Sequence, residues 1–412
     1  MRHAALFLLL LGTVAASAQP TIGPEIQSEL LRPKQAEDTA AAPAVALAAD
    51  RFGVAIAWTM ANADGNDRIF AARLTPGGHV SGSIRQLPLS VSGKRIQASF
   101  PTLAPAPPGT GFTIAWRERS DDGWVELNAY ALLDETLQPA TPVTLPVRAS
   151  GAPAISSSAT GTWLAGGGQV WQLDAGGLIV SQHPVGEGVG DISAGEDYPR
   201  LAAAFRGRDK FTCRRDPGCT SGFPFNGYCF ENCRIYEDAY RLRLITLPRG
   251  TGETTFPYAS DAKPAIEADA KGMLMVWFHG AQNSGGEVLA VRVETPEVES
   301  WPVTGAIRAL GTFPRDAGPT RPDIATDGER YVVVWRTRIS TADHDIAGVS
   351  IEPDGSLTPL AIATSAADER DPAVVAVGNG KFLVGYEKLE NGERRVAGKF
   401  VTLCCGRRRA VH

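Results

Sequence analysis

One motif recurs along almost the whole chain: a proline followed by a short run of small and apolar residues. It occurs at Pro43 (PAVALA), Pro101 (PTLAPA), Pro153 (PAISSS), Pro199 (PRLAAA), Pro264 (PAIEAD), Pro322 (PDIATD) and Pro372 (PAVVAV). Successive prolines are between 46 residues (Pro153 to Pro199) and 65 residues (Pro199 to Pro264) apart. Repeats of roughly this length are typical of proteins built from similar supersecondary units that pack against one another. The 412 residues are therefore not divided simply into independent domains.

A second strand pattern follows most of these prolines. An apolar run ends in an aromatic residue 13 to 15 positions later, at Trp58, Trp116, Trp277, Trp335 and Tyr386. The third unit offers only Trp163 and the fourth only Phe211, and both match poorly. Because the aromatic recurs once in each regular unit, we expect it to fill the core between neighbouring units. Trp124, Trp171 and Trp301 break the period, so we expect them to have exposed roles.

Turn-forming residues complete each unit. A third strand runs into a turn rich in Pro, Asp and Gly, as in RLTPGG, QLDAGG and SIEPDG, and a weaker fourth strand follows. No segment has a sustained helical period. Four short antiparallel strands per unit predict an all-β fold, a seven-bladed β-propeller whose blades start near the recurring prolines. The alternative, an array of separate β-sandwiches, would need about seven strands per unit.

The ends of the chain are predicted to meet in one blade. Only three strands can be recognised between Pro372 and Leu403, and the segment 25–31 (EIQSELL) is a candidate for the missing fourth strand. An N-terminal strand in the last blade would leave no unpaired edge between the first and last blades. Unpaired edges promote aggregation, which is the physical advantage of such a closure.

These repeats also resemble a known group of proteins. The segments PDIATDGERYVVVW…DIAGVSIEPDG and PAVVAVGNGKFLVGYE…RRVAGKF are similar to the degenerate propeller repeats of secreted bacterial proteins. The resemblance covers most of residues 19–403. It implies the fold and no particular activity, because propellers carry out binding, scaffolding and hydrolysis alike.

The first 18 residues have the pattern of a secretory signal peptide. Arg2 and His3 precede an apolar run from Ala4 to Val14, and the small residues Ala16-Ser17-Ala18 follow. The apolar run is too short to span a bilayer. We therefore expect a secreted or periplasmic monomer, with one propeller over residues 19–403 and a basic tail over 404–412. The formal charge of -5 does not favour nucleic acid as a partner, and we expect no membrane span.

Six cysteines fall into two groups. Cys213, Cys219, Cys229 and Cys233 lie in an insertion between the second and third strands of the fourth unit, and Cys404 and Cys405 are adjacent near the C-terminus. An even number in an exported chain predicts disulfides. A hairpin would bring Cys213 to Cys233 and Cys219 to Cys229, although four cysteines allow three pairings and the C-terminal pair adds more. Because the spacing fits zinc poorly, we predict no metal site, and no motif predicts a cofactor.

The same insertion supplies the candidate ligand site. It carries Phe223, Phe225, Tyr228 and Phe230, and it stands beside the shortest unit, so the rim would have a notch there. Concave, partly apolar surfaces are common ligand sites. We therefore predict a site made by these four aromatics with Arg117, Arg119 and Trp124. The alternative is that the aromatics only pack the insertion itself.

The rim loops are rich in arginine and carboxylates, including Asp343, His344, Asp345, Asp368 and Asp371. The sequence has no nucleophile elbow, zinc-protease motif or P-loop. We predict an exported ligand-binding or protein-interaction module for a glycan, peptide or protein. One alternative is an extracytoplasmic carbohydrate-active hydrolase or lyase with its site on this rim, and another is a structural adhesion protein. Carboxylate pairs converging near the channel mouth would favour the enzyme, and an aromatic platform without them would favour the binder.

Overall fold

The structure is a computed structural model of the chain. It describes residues 19–27, 45–62, 65–91, 96–107, 111–123, 125–149, 151–185, 189–194, 199–207, 214–216, 223–225, 228–231, 239–247, 254–259, 264–269, 272–281, 285–294, 307–313, 322–340 and 343–403. The regular structure in these ranges is all β. The described residues include no helix that could cross a membrane.

Six four-stranded antiparallel sheets are each formed by one stretch of chain, and they are the blades. Strands are numbered in chain order. The first blade has β2 (Val45–Asp50), β3 (Gly53–Ala61), β4 (Asp67–Leu74) and β5 (Val80–Gln86). The second has β6 (Ile96–Pro105), β7 (Phe112–Ser120), β8 (Glu126–Leu133) and β9 (Val143–Arg148). The third has β10 (Ala154–Ser158), β11 (Gly161–Gly166), β12 (Gln169–Leu173) and β13 (Ile179–Pro184).

The other three blades follow the same order. The fourth has β14 (Val189–Ala194), β15 (Pro199–Gly207), β19 (Ala239–Thr246) and β20 (Thr254–Ala259). The fifth has β21 (Ala265–Asp269), β22 (Gly272–Ala281), β23 (Gly285–Glu294) and β24 (Arg308–Phe313). The sixth has β25 (Asp323–Thr326), β26 (Tyr331–Arg338), β27 (His344–Ile351) and β28 (Leu357–Ala363).

The remaining four-stranded sheet combines both ends of the chain, and we call it the closing sheet. Its order is β1 (Thr21–Gln27), β31 (Glu393–Thr402), β30 (Lys381–Glu390) and β29 (Asp368–Gly378). The first strand of each of the six blades lies innermost, and in the closing sheet the innermost strand is β29. These inner strands contact one another in the cyclic order β2, β6, β10, β14, β21, β25, β29 and back to β2. The sheets therefore surround a central channel, as in a β-propeller.

The prediction of seven blades that each begin at a recurring proline is wrong in this form. The structure has six blades built from single stretches of chain, and its remaining sheet is composite. The fourth blade begins at β14, and Pro199 opens the second strand, β15, rather than the first. The proline signal failed there because proline is also tolerated at the start of a non-inner strand.

The N-terminal strand pairs with β31, but it covers Thr21–Gln27 rather than residues 25–31. Residues 28–44 lie outside the described part of the chain. Pro24 sits within β1, and the register with β31 shifts between Ile22 and Glu25. An edge strand can accommodate proline because its outward side needs no ladder donor. A proline-containing segment was therefore compatible with this position.

The recurring aromatics are buried, as predicted. Trp58, Trp116, Trp277, Trp335 and Tyr386 are all at most 4% exposed. All five lie in second strands, and Trp58, Trp116, Trp335 and Tyr386 belong to clusters between neighbouring sheets. The expectation that Trp171 is exposed is wrong, because its side chain is 0% exposed in the core between the second and third blades. Trp124 and Trp301 lie outside the described residues.

Two inner strands extend beyond their proline and bulge at it. In β6 the register with β7 shifts between Ser99 and Thr102, and in β29 the register with β30 shifts between Arg370 and Ala373. The residue before each proline, Phe100 or Asp371, has a positive φ of 58° or 48°. Bulges re-aim the side chains around them. In β29 the segment before the bulge includes Asp368 and Glu369.

Candidate functional site

The central channel contains a cavity of about 360 Å³. Inner strands of the six blades and of the closing sheet all contribute to its walls. Most of the lining side chains are small or apolar, and alanine is the most frequent, followed by proline and isoleucine. This volume lies in the range of sites that hold small molecules, which begins at roughly 300 Å³. The channel is therefore large enough for a small ligand or an inserted side chain.

Polar side chains join neighbouring inner strands around this cavity. The Ile266 N–H donates to Asp191 Oδ2 at 3.0 Å, and the Val374 N–H donates to Asp323 Oδ2 at 2.7 Å. Ser193 Oγ likewise accepts from a main-chain N–H, that of Ala268, at 3.0 Å. Each bond runs from one inner strand to the next strand in the ring. These side chains thus replace the ladder hydrogen bonds that sheets arranged around an axis do not share.

Glu267 lies on β21, the inner strand between those that carry Asp191 and Asp323. It lines the same cavity. Burial raises the pKa of Glu267, the charges of Asp191 and Asp323 raise it further, and a hydrogen bond with Ser193 opposes the shift. The resulting pKa is about 8. Glu267 is thus mostly protonated at neutral pH and can donate a hydrogen bond into the channel.

The channel wall has an excess of acidic groups. It includes Asp191, Glu267 and Asp323, and no lysine, arginine or histidine is among the described residues that line it. The negative charges of Asp191 and Asp323 both act on Glu267 and raise its pKa. Clefts lined by one sign of charge attract ligands of the other sign. The geometry is therefore suited to a cationic group.

The predicted notch residues are only partly described. Arg117 lies on β7 and forms an ion pair with Glu126, which also binds Arg148 at 3.1 Å. Arg119 is exposed on the same strand, and Trp124 lies outside the described residues. The Arg117 side chain is thus already engaged in a local ion-pair network. Its role and that of Arg119 in ligand binding remain predictions.

The backbone of the cysteine-rich insertion forms a small sheet of its own. Its strands are β16 (Arg214–Asp216), β17 (Phe223–Phe225) and β18 (Tyr228–Glu231), in the order β16-β18-β17. The register pairs Phe223 with Phe230 and Phe225 with Tyr228. Cys229 belongs to β18, whereas Cys213, Cys219, Cys233, Cys404 and Cys405 lie outside the described residues. The disulfides and the aromatic ligand site remain predictions.

The three channel carboxyls were missed by the sequence predictions, which placed candidate residues on rim loops. A usable sign was present, since the inner-strand segments PAIEAD and PDIATD carry acidic residues among small apolar ones. Acidic side chains are rarely placed in such crowded positions without a partner or a role. The proline-based start of the fourth blade hid Asp191, because it lies before Pro199.

The fold and the site together define a β-propeller with an acidic channel. No protein-family model matches the chain, and no curated protein matches it in sequence. A solved structure described as a protein of unknown function from Dyadobacter fermentans DSM 18053 has a TM-score of 0.50 at 12% identity. That comparison covers 90% of this chain and 97% of the other. Identity this low shows similarity of fold alone.

Two further solved structures are similar to this chain, one a β-propeller domain and the other a sialidase. The β-propeller domain of the Trilobed protease from Pyrococcus furiosus gives a TM-score of 0.47 at 11% identity, covering 89% of this chain and 97% of that one. A mutant of Trypanosoma rangeli sialidase displaying trans-sialidase activity gives 0.49 at 9% identity, covering 93% of this chain and 60% of that one. Neither comparison carries an argument about the function of this protein.

Proposed function

We propose that this protein is an exported ligand-binding module that receives a cationic group in its central channel. The ligand is a small molecule bearing an amine or guanidinium, or a peptide that inserts a basic side chain. One observation carries the proposal: Asp191, Glu267 and Asp323 line one cavity whose described walls contain no basic residue. The signal-peptide pattern of residues 1–18 supports export.

The size of the channel limits the ligand class. A cavity of about 360 Å³ admits a small molecule or a side chain and excludes a folded domain. A protein partner would therefore engage the channel only through an extended segment or a chain terminus. The apolar wall would hold the aliphatic part of a lysine-like or arginine-like group, while the carboxyls receive its charge.

The protonation of Glu267 provides a specific test. A bound cation favours the ionised carboxylate, so binding near neutral pH should release a proton from Glu267. Lysine- and arginine-containing peptides and linear polyamines on an array identify a binder. Isothermal titration of that binder at pH 7 in buffers of different ionisation enthalpy then counts the protons released. With a pKa of about 8, close to one proton per ligand is expected.

Matched variants locate the site. Glu267→Gln should weaken binding and abolish proton release, because glutamine cannot ionise. Glu135→Gln makes the same charge change at an exposed turn outside the channel and should leave both unchanged. Binding that survives Glu267→Gln with its proton release intact would contradict the proposal.

The same three residues also bear on the alternative that the protein is a hydrolase. A neutral glutamate near ionised aspartates resembles the acid and base pairs used for glycoside hydrolysis. However, Asp191 and Asp323 both accept main-chain hydrogen bonds that join inner strands, which gives them a structural role. This favours binding over catalysis. A glycan array followed by product analysis of any bound sugar distinguishes the two, because only an enzyme would release a shortened product.

A further inference from the structure

A second group of carboxylates lies on the rim, outside the channel site. Asp343 immediately precedes β27 and Asp345 lies within it, in the sixth blade, whereas Glu369 lies near the start of β29 in the closing sheet. One carboxylate oxygen from each of the three lies within 4.8 Å of the other two. Glu369 lies beside the sixth blade because β29, which starts at Asp368, contacts β27.

The buried member of the group, Glu369, uses only part of its carboxylate. Glu369 is 0% exposed, and its Oε1 accepts a hydrogen bond from Ser365 Oγ. Among the residues that the structure describes, its buried Oε2 has no hydrogen-bond partner, and neither does Asp343 Oδ1. A buried carboxylate oxygen without a donor is unfavourable, most of all when the group is charged. Two such oxygens in one group of three acids favour a positively charged ligand at this position.

Three basic side chains on β27, β29 and β30 form ion pairs with other acids. Lys388 Nζ lies 2.9 Å from Glu25 Oε1, His344 Nδ1 lies 2.6 Å from Asp368 Oδ1, and Arg370 Nε lies 2.7 Å from Asp368 Oδ2. Burial raises the pKa of Glu369 to about 7 despite the opposing effects of Ser365 and Lys388, and Asp345 adds to the rise. Burial and Asp343 likewise raise the pKa of Asp345.

We propose that Asp343, Asp345 and Glu369 form a binding site for a divalent hard cation, with calcium as the best fit. All three donors are carboxylates, which suit calcium, magnesium or manganese rather than softer metals. Calcium binds its oxygens at about 2.3–2.6 Å, so two oxygens on one ion lie up to about 5 Å apart. Carboxylate oxygens that all lie within 4.8 Å of one another can share one ion. Calcium accepts the irregular coordination of such a group more readily than magnesium, which requires near-ideal octahedral geometry.

Such an ion would fasten two sheets together. Asp343 and Asp345 belong to the sixth blade, and Glu369 belongs to the closing sheet, which also holds the N-terminal strand. An ion shared between them adds a stabilising contact at the interface where the ring is completed. Binding to the folded chain alone raises the stability of the fold in proportion to the logarithm of the ion concentration.

The test uses the purified mature protein after treatment with a chelator. Thermal unfolding is followed with CaCl2 or MgCl2 added in steps to the millimolar range, and isothermal titration with CaCl2 gives the stoichiometry. We expect calcium to raise Tm by a few degrees, magnesium to raise it less, and a single ion to bind each chain. No calcium effect on Tm and no binding heat would overturn the proposal.

Variants separate this site from adventitious binding. Asp345→Asn and Glu369→Gln should abolish the calcium-dependent rise in Tm. Without calcium the same variants should be as stable as the wild type or more so, because each removes a repelling charge. Glu329→Gln removes an exposed acid from the β25–β26 turn, at the opposite end of the sixth blade, and should keep the full calcium response. A response that persists in both site variants would show that calcium binds elsewhere and would refute the assignment.

Discussion

Lys388 donates from its Nζ to both carboxylate oxygens of Glu25, at 2.9 and 3.2 Å, although 363 positions separate the two residues in the chain. The Tyr386 hydroxyl donates to Glu25 Oε2 at 2.9 Å. Lys388 is 7% exposed, so this contact is largely removed from solvent. The pairing of β1 with β31 is therefore supported by side chains that reach across β31 to β30.

Removing either member of this pair should destabilise the closing sheet. For Glu25→Gln or Lys388→Met we expect a loss of about 1–3 kcal/mol in the free energy of unfolding, because the remaining buried group loses its charged partner. Chemical denaturation of each single variant and of the double variant measures the coupling. Glu390→Gln, on the same strand as Lys388, serves as a control with a small expected effect. Additive single-variant losses would show that the two residues do not interact.

The Glu25 contact should also make stability depend on pH. Burial acts to raise the pKa of Glu25, but hydrogen bonds from Lys388 and Tyr386 outweigh it and the net pKa is lowered. A lowered pKa in the folded state contributes stability above the unfolded value of about 4.3, and that contribution disappears as pH falls through the folded value. The Tm difference between wild type and Glu25→Gln should therefore be large at pH 7 and small at pH 3. A difference that does not change with pH would contradict this.

Glu267 should have the opposite pH dependence. Its pKa of about 8 is raised by burial first and then by Asp191 and Asp323. The folded state therefore retains a proton that the unfolded state releases near pH 4.3, and stability falls as pH rises from there to about 8. Glu267→Gln imitates the protonated form, so its Tm advantage over wild type should grow between pH 5 and pH 8.5. Equal pH profiles for the two proteins would show that Glu267 titrates normally.

Ring closure can be tested by truncation. Deleting residues 19–27 removes β1 and leaves β31 as an unpaired edge. We expect a sharp fall in Tm and a shift toward larger species on size-exclusion chromatography, since exposed strand edges promote association. Adding the deleted segment as a peptide should restore part of the stability. A truncated protein with the Tm and the elution volume of the intact protein would rule out an essential closing role for β1.

The predicted disulfides are tested by mass spectrometry of unreduced peptides. We expect at least one bond within residues 213–233 when the protein is exported to an oxidising compartment. The matched measurement is the same digest after reduction, which should shift the mass by two hydrogens per bond. Four free thiols, or one zinc ion per chain, would exclude the prediction.

The regular repeats predicted the structure correctly, whereas the predictions failed where the repeat is interrupted. Second strands such as Gly272–Ala281 and Lys381–Glu390 can be recognised in the sequence by a local apolar run that ends near an aromatic residue. The fourth blade was misplaced, because its inner strand Val189–Ala194 lacks the usual proline. Trp171 was misjudged, because a position outside the repeat can still face a neighbouring sheet.

The sequence by itself determined the all-β character, the four-stranded units and the burial of the repeated aromatics. These follow from local periods, turn residues and composition, each of which acts over a few positions. Only the tertiary structure decided which carboxylates meet. Glu267 joins Asp191 and Asp323 in one channel, and Glu369 joins Asp343 and Asp345 on the rim. These groupings depend on strand register and on closure of the ring, and such long-range geometry leaves no fixed spacing in the chain.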